Sequence, residues 1–154
     1  QSGIIHKTTA PYSHQSNGVA ERKNRTLKEM MNAMLISSRL PQNLWGEAIL
    51  SANYIMNKVP RKKVDKTPYE LWKGVKPSYK CLRMWGCLAK VAIPTPKRVW
   101  IGPKSVDCIF IGYAHNSSAY RFFVHKFEIL DIHRNTIMES RNACFFEDIF
   151  PCRT

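Results

Sequence analysis

Apolar residues at spacings of three and four predict amphipathic helices in the first half of the chain. The first predicted helix runs from about Asn17 to Arg39 and is halted by Pro41. Its expected buried stripe is Ala20, Leu27, Met31 and Met34, with Asn24 among them. A second, largely buried helix ends before Pro60, and its apolar positions are Leu44, Trp45, Ala48, Ile49, Ala52, Ile55 and Met56. A third, short helix is predicted from the capping box Thr67-Pro68-Tyr69-Glu70, with Gly74 closing it.

From Pro77 onward the pattern changes to alternation, which is typical of half-buried strands. One predicted strand buries a face formed by Cys87, Ala89, Val91 and Ile93, and another a face formed by Ile109, Ile111 and Tyr113. A long loop from Pro94 to Ser105 separates these two strands, and turns are expected at Asn116-Ser117-Ser118 and Arg134-Asn135. A short strand is also expected at Ile4 to Thr8. Short strands with such turns favour a small barrel or sandwich.

The charge balance of the chain favours a polyanionic partner. Among 154 residues, 24 are basic and 11 acidic, for a net charge of +13. A basic domain with no nucleic-acid function is the alternative interpretation. No apolar run approaches the roughly 18 residues of a membrane span, and no secretory signal opens the chain, so an intracellular location, nucleus or cytoplasm, is expected. The five cysteines form no C-x-x-C pair and are predicted to be reduced thiols.

The first helix also carries a candidate for chemistry. Glu21, Arg25 and Lys28 stand at i, i+4 and i+7, which aligns a carboxylate and two cations along one helix face. Such a face can hold a metal ion and a phosphate chain together. The alternative is an ordinary amphipathic helix whose charged face is solvated.

Two blocks of sequence resemble a known family. The run Pro11-Tyr12-Ser13-His14-Gln15-Ser16-Asn17-Gly18-Val19-Ala20-Glu21-Arg22-Lys23-Asn24-Arg25-Thr26-Leu27 resembles the end of the catalytic core of copia-type retrotransposon integrases. The segments Leu82–Cys87, Cys108–Tyr113 and Ser140–Glu147 resemble the small β domain that follows this core. His14 departs from the family, which usually has proline there, so a less rigid loop is expected.

This resemblance implies an α/β part followed by an all-β part. Residues 1–75 would be the C-terminal portion of a truncated, ribonuclease H-like integrase core, mostly helical here. Residues 76–154 would form a Src-homology-3-like β-barrel.

The resemblance also implies a metal site. Related enzymes hold two divalent ions, Mg²⁺ or Mn²⁺, with two aspartates and one glutamate, and the aspartates come first in the sequence. Glu21 matches the glutamate, as catalytic residue and metal ligand, but no Asp or Glu precedes it. A single carboxylate cannot fix two ions about 4 Å apart. This chain alone is therefore expected to hold no Mg²⁺ and to be inactive.

By the same resemblance, other residues of this region would contact DNA. Tyr12 and Asn17 match loop positions that approach the DNA end, while Arg25 and Lys28 would grip phosphates. Lys23 is a weaker candidate because it points elsewhere on the helix. For Tyr12, a half-buried ring under the loop is the alternative.

The expected partners follow from the resemblance as well. They are the DNA of the element ends and of the target, the rest of the Pol polyprotein, and further copies of the enzyme, with no membrane. The assembled enzyme would insert element DNA into target DNA by metal-dependent phosphoryl transfer. The alternative is a non-catalytic nucleic-acid-binding or assembly remnant of a transposon polyprotein. In the β domain, Lys97, Arg98, Trp100 and Lys104 would serve either as a nucleic-acid platform or as part of a domain for subunit assembly.

Overall fold

The computed structural model describes Thr8, Ala10, Pro11 and residues 17–60, 64–93, 100–125 and 135–153. The helices are α1 (Gly18–Ser38), α2 (Trp45–Lys58) and α3 (Pro68–Lys73), and a 3₁₀ turn (Gln42–Leu44) precedes α2. The strands are β1 (Leu88–Ala92), β2 (Ser105–Tyr113), β3 (Tyr120–Val124), β4 (Ile137–Ser140) and β5 (Ala143–Phe146). The predicted strand at Ile4 to Thr8 and most of the predicted loop at 94–105 lie outside the described residues.

The five strands form one antiparallel sheet. Its spatial order is β4-β3-β2-β1-β5, so the chain's last strand pairs with its first. In the centre, Ala89 of β1 lies opposite Cys108 of β2 and opposite Phe145 of β5. An antiparallel five-stranded sheet preceded by helices is the architecture of the described chain.

One face of the sheet encloses the larger core. Cys87, Ala89, Val91 and Ile93 are all buried there, which confirms the alternation predicted for the first strand. Phe110, Phe122 and Phe145 meet in this core, and the ring centroids of Phe110 and Phe145 lie 5.6 Å apart in an edge-to-face arrangement. Aromatic rings in such geometry stabilise a core beyond their buried area.

The helices cover the other face of the sheet. A second core joins residues of the α1–α2 region with Trp85, Ile109 and Ile111, and its helical members are Leu40, Leu44 and Ala48. Ile109 and Ile111 are fully buried, so β2 is buried on both faces. The prediction of a half-buried strand is therefore wrong for β2, because α2 packs directly on its outer side.

A register shift in β2 changes the side on which Tyr113 lies. The pairing of β2 with β3 is irregular between Phe110 and Gly112, as expected for a β-bulge. Tyr113 consequently packs against the larger core beside Tyr120, its partner on β3, and does not share the face of Ile109 and Ile111. The prediction of one common face for these three residues is wrong at Tyr113.

The helix predictions hold in outline and fail at particular residues. α1 begins at Gly18 and ends at Ser38, and its C-cap residue Arg39 has a left-handed φ of 54°. Ala20 and Asn24 are exposed, so the buried stripe of α1 begins only at Leu27. Trp45 is 57% exposed, so its assignment to the core is wrong.

Helix α3 has the predicted caps. The Thr67 hydroxyl accepts a hydrogen bond of 3.0 Å from the backbone N–H of Glu70, and Pro68 is the first helical residue. Gly74 follows the helix at a φ of 72°, a conformation that glycine adopts without steric cost. The predicted Thr67 N-cap, N-terminal proline and Gly74 C-cap are therefore confirmed, and the bond from Thr67 is the half of the capping box that the structure shows.

Two glycines allow the helices to approach the sheet closely. A Cβ on Gly86 would overlap the Ser38 side chain at the end of α1, and a Cβ on Gly112 would lie 2.6 Å from the Ser51 Oγ of α2. The Ile111 carbonyl accepts hydrogen bonds from the Ser51 hydroxyl, at 3.0 Å, and from the Trp85 indole N–H, at 2.6 Å. The contact between helices and sheet is therefore both tight and hydrogen-bonded.

An ion-pair network ties α2 to the sheet. The Arg121 guanidinium on β3 donates to both carboxylate oxygens of Glu47, at 2.9 and 2.7 Å, and to Glu139 on β4 at 2.5 Å. The hydrogen bonds to Glu47 are the main reason that the pKa of Arg121 is raised. Bidentate Arg–carboxylate pairs fix geometry as well as charge, so this network orients α2 on the sheet. The division of the chain at residue 75 into two domains stays a prediction.

Candidate nucleic-acid and metal site on helix α1

Helix α1 has a packed half and an exposed half. Residues 19–26 are all exposed, and Val19 keeps 77% of its surface. From Leu27 onward half-buried residues recur, and Met31, Met34 and Leu35 pack against the second core. The sheet and α2 therefore hold the C-terminal half, while the N-terminal half presents its side chains to solvent.

Glu21, Arg25 and Lys28 line one groove on this exposed half. The groove is an open space of about 390 Å³, and its other described lining residues, Asn24, Glu29 and Asn32, also belong to α1. The spacing therefore predicted correctly that the carboxylate and the two cations share a face. Because Glu21 is exposed, its oxygens are open to a cation or to solvent.

Asn17 is the N-cap residue of α1 and is exposed. Its backbone has φ −99° and ψ 6°, and its side chain makes no capping hydrogen bond, so the amide remains available to a ligand. Glu21 is the acidic residue of the first turn, where a carboxylate stabilises a helix by about 0.3–1 kcal/mol through the helix dipole. This structural role is the alternative to metal binding. Tyr12 lies outside the described residues.

Lys23 lies apart from the Glu21 groove. With Arg22 it lines a separate cavity of about 700 Å³ whose other walls come from the first turns of α1, the end of α2 and the start of α3. Val19, Met56 and Val59 make this cavity largely apolar. Lys23 is thus on another side of α1, as its position in the sequence predicted.

The described residues do not by themselves fit a two-ion site. In the described part of the chain, no three His, Cys, Asp or Glu side chains come together as a metal-binding group. The Glu21 groove contains one further carboxylate, Glu29, two turns along the same helix. Two ions about 4 Å apart require ligands that converge from several elements.

The connection between β1 and β2 ends in an exposed aromatic residue. Trp100 is 97% exposed, and its neighbours Ile101 and Lys104 are exposed as well. Lys97 and Arg98 lie outside the described residues. Because Trp100 is exposed, it does not cover the end of the sheet and remains accessible to a base or a partner.

A cluster that the sequence did not reveal joins α2 to the segment before β1. Lys58 is only 8% exposed, and its ammonium donates to the Tyr54 hydroxyl at 2.6 Å and to the Cys81 Sγ at 3.4 Å. Tyr54 in turn stacks on Tyr113 with ring centroids 4.0 Å apart. Tyr54 and Lys58 are spaced i, i+4, which is visible in the sequence, but nothing in the sequence indicates that Cys81 meets them.

All five cysteines are free thiols, as the sequence predicted. Burial raises the pKa of Cys87 to about 11 and that of Cys108 to about 12, so both stay protonated in the core. Cys144 is exposed, and Cys81 and Cys152 are half-buried. No described helix is long and apolar enough to cross a bilayer.

Comparison with known families identifies the sheet. Residues 87–154 match the family described as the retroviral polymerase SH3-like domain. Residues 87–154, which include the five strands, are therefore similar to that domain family.

The chain as a whole is similar to Pol polyproteins of plant retrotransposons. It is 36% identical to the Retrovirus-related Pol polyprotein from transposon TNT 1-94 of Nicotiana tabacum, over 94% of this chain and 10% of that protein. It is 30% identical to the corresponding polyprotein from transposon RE1 of Arabidopsis thaliana, over 98% of this chain and 10% of that protein. For transposon RE2 of the same plant, the identity is 31% over 100% of this chain and 10% of that protein.

These relatives are much longer than the chain. It spans about a tenth of their length, so it corresponds to a segment of a retrotransposon Pol polyprotein. No solved structure matches it.

Proposed function

We propose that this chain is the part of a retrotransposon integrase that supplies one catalytic carboxylate, Glu21, and contacts DNA through the same helix. In the intact polyprotein, this integrase inserts element DNA into target DNA by metal-dependent phosphoryl transfer. The observation that carries the proposal is the exposed groove in which Glu21 lies with Arg25 and Lys28. Similarity to Pol polyproteins over nearly the whole chain supports it.

The charges of the groove define what each residue does toward DNA. Arg25 and Lys28 attract phosphates, whereas Glu21 and Glu29 repel them. Glu21 is one ligand of a site whose other carboxylates belong to the ribonuclease H-like core of the Pol polyprotein. The chain alone therefore binds DNA through its basic surface but does not cleave it.

The further partners follow from the same proposal. They are element-end and target DNA, the remainder of the Pol polyprotein, and further copies of the enzyme. The enzyme acts inside the cell, in the nucleus or cytoplasm.

Salt-dependent DNA binding tests the groove. Fluorescence anisotropy with a labelled duplex would measure affinity from 50 to 200 mM salt. Arg25→Gln with Lys28→Gln removes two phosphate contacts and is expected to reduce the slope of log K against log salt by about 1.8. Lys76→Gln with Lys80→Gln removes the same charge from the exposed segment before β1 and should leave the slope nearly unchanged. Equal slopes for the two double variants would contradict DNA binding in the groove.

The sign of the effect at Glu21 gives an independent test. Glu21→Gln removes a negative charge from the groove, so it should raise the affinity for duplex DNA at low salt. Asp65→Asn removes the same charge at an exposed position on the segment before α3 and should change the affinity less. A lower affinity of Glu21→Gln for duplex DNA would indicate that the DNA does not bind in the Glu21 groove.

Nuclease assays test the claim of inactivity. Incubation with a labelled duplex and Mg²⁺ or Mn²⁺ is expected to show no nicking. Nicking that disappears in Glu21→Gln would show that the chain carries a complete site.

A non-catalytic role is the second candidate, and the exposed Trp100, four residues before the exposed Lys104, favours it. In that case the chain binds nucleic acid or a partner as a remnant of a transposon polyprotein. The coding sequence immediately upstream separates the two candidates. Two aspartates in a strand-rich core support the integrase, whereas an in-frame stop codon supports the remnant.

A further inference from the structure

The cluster of Lys58, Tyr54 and Cys81 is a site that integrase chemistry does not use. The Lys58 ammonium is nearly buried and donates to both of the other side chains. The Tyr54 hydroxyl lies 3.5 Å from the Cys81 Sγ, so the three groups close a triangle of hydrogen bonds. The phenol of Tyr79 donates to the Lys58 carbonyl at 3.1 Å and holds the end of α2 in place.

A largely buried ammonium is stabilised by nearby acceptors, aromatic faces or an anion, because desolvation disfavours an unpaired charge. No carboxylate forms an ion pair with Lys58 in the part of the chain that the structure describes. Burial raises the pKa of Tyr54, so the phenol stays protonated and donates. The Tyr54 ring lies 4.0 Å from the Lys58 Nζ, and among the hydrogen-bond partners of Lys58 the Cys81 sulfur is the group that can carry a negative charge.

The surroundings of Cys81 favour its thiolate. Burial by itself raises the pKa of the thiol, but hydrogen bonds from Tyr54 and Lys58 and the charge of Lys58 outweigh this and lower the pKa below the ordinary value. The neutral thiol donates to the Ser78 carbonyl at 3.4 Å, a single long contact that the thiolate gives up. The thiolate accepts hydrogen bonds from two donors, Tyr54 and Lys58, whereas the neutral thiol donates one hydrogen bond, to Ser78. The hydrogen-bond partners therefore stabilise the thiolate more than the thiol.

We propose that Cys81 is a nucleophilic thiolate and a modification site for small hydroperoxides. The thiolate sulfur attacks one peroxide oxygen, the S–O bond forms and the O–O bond breaks. Sulfur is oxidised by two electrons to the sulfenic acid, and the peroxide is reduced. The departing hydroxide, or alkoxide for an organic hydroperoxide, takes a proton from solvent and leaves as water or alcohol. The hydrogen bond from the Lys58 ammonium stabilises the negative charge on sulfur before the attack.

The other cysteines provide internal controls. Cys87 and Cys108 are fully buried, and their raised pKa values keep them protonated. Cys144 is exposed on β5, so it is more accessible than Cys81, and its cross-strand neighbour Lys90 lies 3.7 Å from the carboxylate of Asp107. If accessibility governed reactivity, Cys144 would react first; if thiolate character governs it, Cys81 reacts first.

Peroxide labelling distinguishes these cases. The protein is treated with hydrogen peroxide and dimedone between pH 5 and 9, and each labelled cysteine is quantified by mass spectrometry. At pH 6.5 we expect Cys81 to be labelled about tenfold faster than Cys144. As the pH is raised, the labelling rate of Cys81 should begin to increase at a lower pH than the labelling rate of Cys144. Labelling of Cys144 at an equal or greater rate, or identical pH profiles for the two thiols, would overturn the proposal.

A lysine variant tests the origin of the effect. Lys58→Met should slow labelling of Cys81 at pH 6.5 by about tenfold and move its pH profile upward. Lys76→Met, at an exposed position, should change neither quantity. Should Lys58→Met fail to fold by circular dichroism, the pH profiles of the two thiols in the unmodified chain decide the matter without it. An unchanged Cys81 profile in a folded Lys58→Met protein would refute the assigned role of the lysine.

Discussion

Replacement of Gly86 by alanine is expected to disrupt the contact between α1 and the segment before β1 and to destabilise the protein. Gly86 has a φ of 86°, where an L residue is strained, and an added Cβ would overlap the Ser38 side chain. Left-handed strain costs about 1–2 kcal/mol and overpacking of a tight contact about 1–3 kcal/mol. The free energy of unfolding should therefore fall by about 2–5 kcal/mol.

Two other glycines separate these contributions. Gly74 has a φ of 72° but open space around it, so Gly74→Ala should cost only the strain, about 1–2 kcal/mol. Gly46 is the second residue of α2, with open space and no positive φ, so Gly46→Ala should stabilise the protein by less than the about 0.5–1 kcal/mol of a mid-helix exchange. The loss in the free energy of unfolding should therefore be largest for Gly86→Ala, smaller for Gly74→Ala and absent for Gly46→Ala.

Urea unfolding monitored by tryptophan fluorescence measures the series. With a slope of about 2 kcal/mol per molar, the midpoint of Gly86→Ala should fall by roughly 1–2.5 M. Adding Ser38→Gly to Gly86→Ala should recover part of the loss, because it removes the overlap and leaves the strain. If Gly86→Ala and Gly74→Ala unfold at the same urea concentration, close packing of α1 on the sheet is not the reason for glycine at position 86.

Three further measurements test the remaining contacts. Glu47→Gln should lower the free energy of unfolding by about 2 kcal/mol, since it weakens two hydrogen bonds from the half-buried Arg121, and a loss below about 0.5 kcal/mol would refute this. Thr67→Ala removes the cap of α3 and should cost about 1 kcal/mol, measured in the same way. The pKa values of Cys87 and Cys108, raised to about 11 and about 12, lie above that of an unfolded thiol. The unfolded chain therefore releases these protons first, and stability should fall above about pH 9, by up to about 1.4 kcal/mol per pH unit for each thiol. Cys108→Ala should flatten that decline.

The sequence predicted the first strand well because one face of it is buried and the other is not. Alternation at Cys87, Ala89, Val91 and Ile93 reports that burial directly. The sequence of β2 predicted the same half-buried pattern, but helices cover its second face. That cover comes from residues more than 50 positions earlier, so local alternation carries no trace of it.

The failures at Trp45 and Tyr113 have local geometric causes. Trp45 shares helical spacing with the buried residues Ala48 and Ala52, yet it stands at the first position of α2, after a 3₁₀ turn that buries Leu44 instead. Tyr113 follows a bulge that reverses the order of faces. Neither a 3₁₀ turn nor a bulge interrupts the apolar pattern, so periodicity alone does not place either ring.

The candidate site was predictable as far as it lies on one helix. Glu21, Arg25 and Lys28 share a groove because the helical repeat fixes their relative directions. The Cys81 cluster required the fold, because 23 residues separate the thiol from Lys58. Sites confined to one element follow from the sequence, whereas sites assembled across elements depend on tertiary packing.

The exposed half of α1 sets the direction in which Glu21 points. The helix has 21 residues, about 31 Å at 1.5 Å per residue, and among the described residues its side chains that join the second core lie in the C-terminal half. Inserting one residue between Leu27 and Met31 would swing Glu21 about 100° around the axis, whereas inserting four would restore its direction to within about 40° and push it some 6 Å outward. Adding or deleting a single residue between Glu21 and the packed half of α1 therefore redirects Glu21 more than an insertion of four residues does.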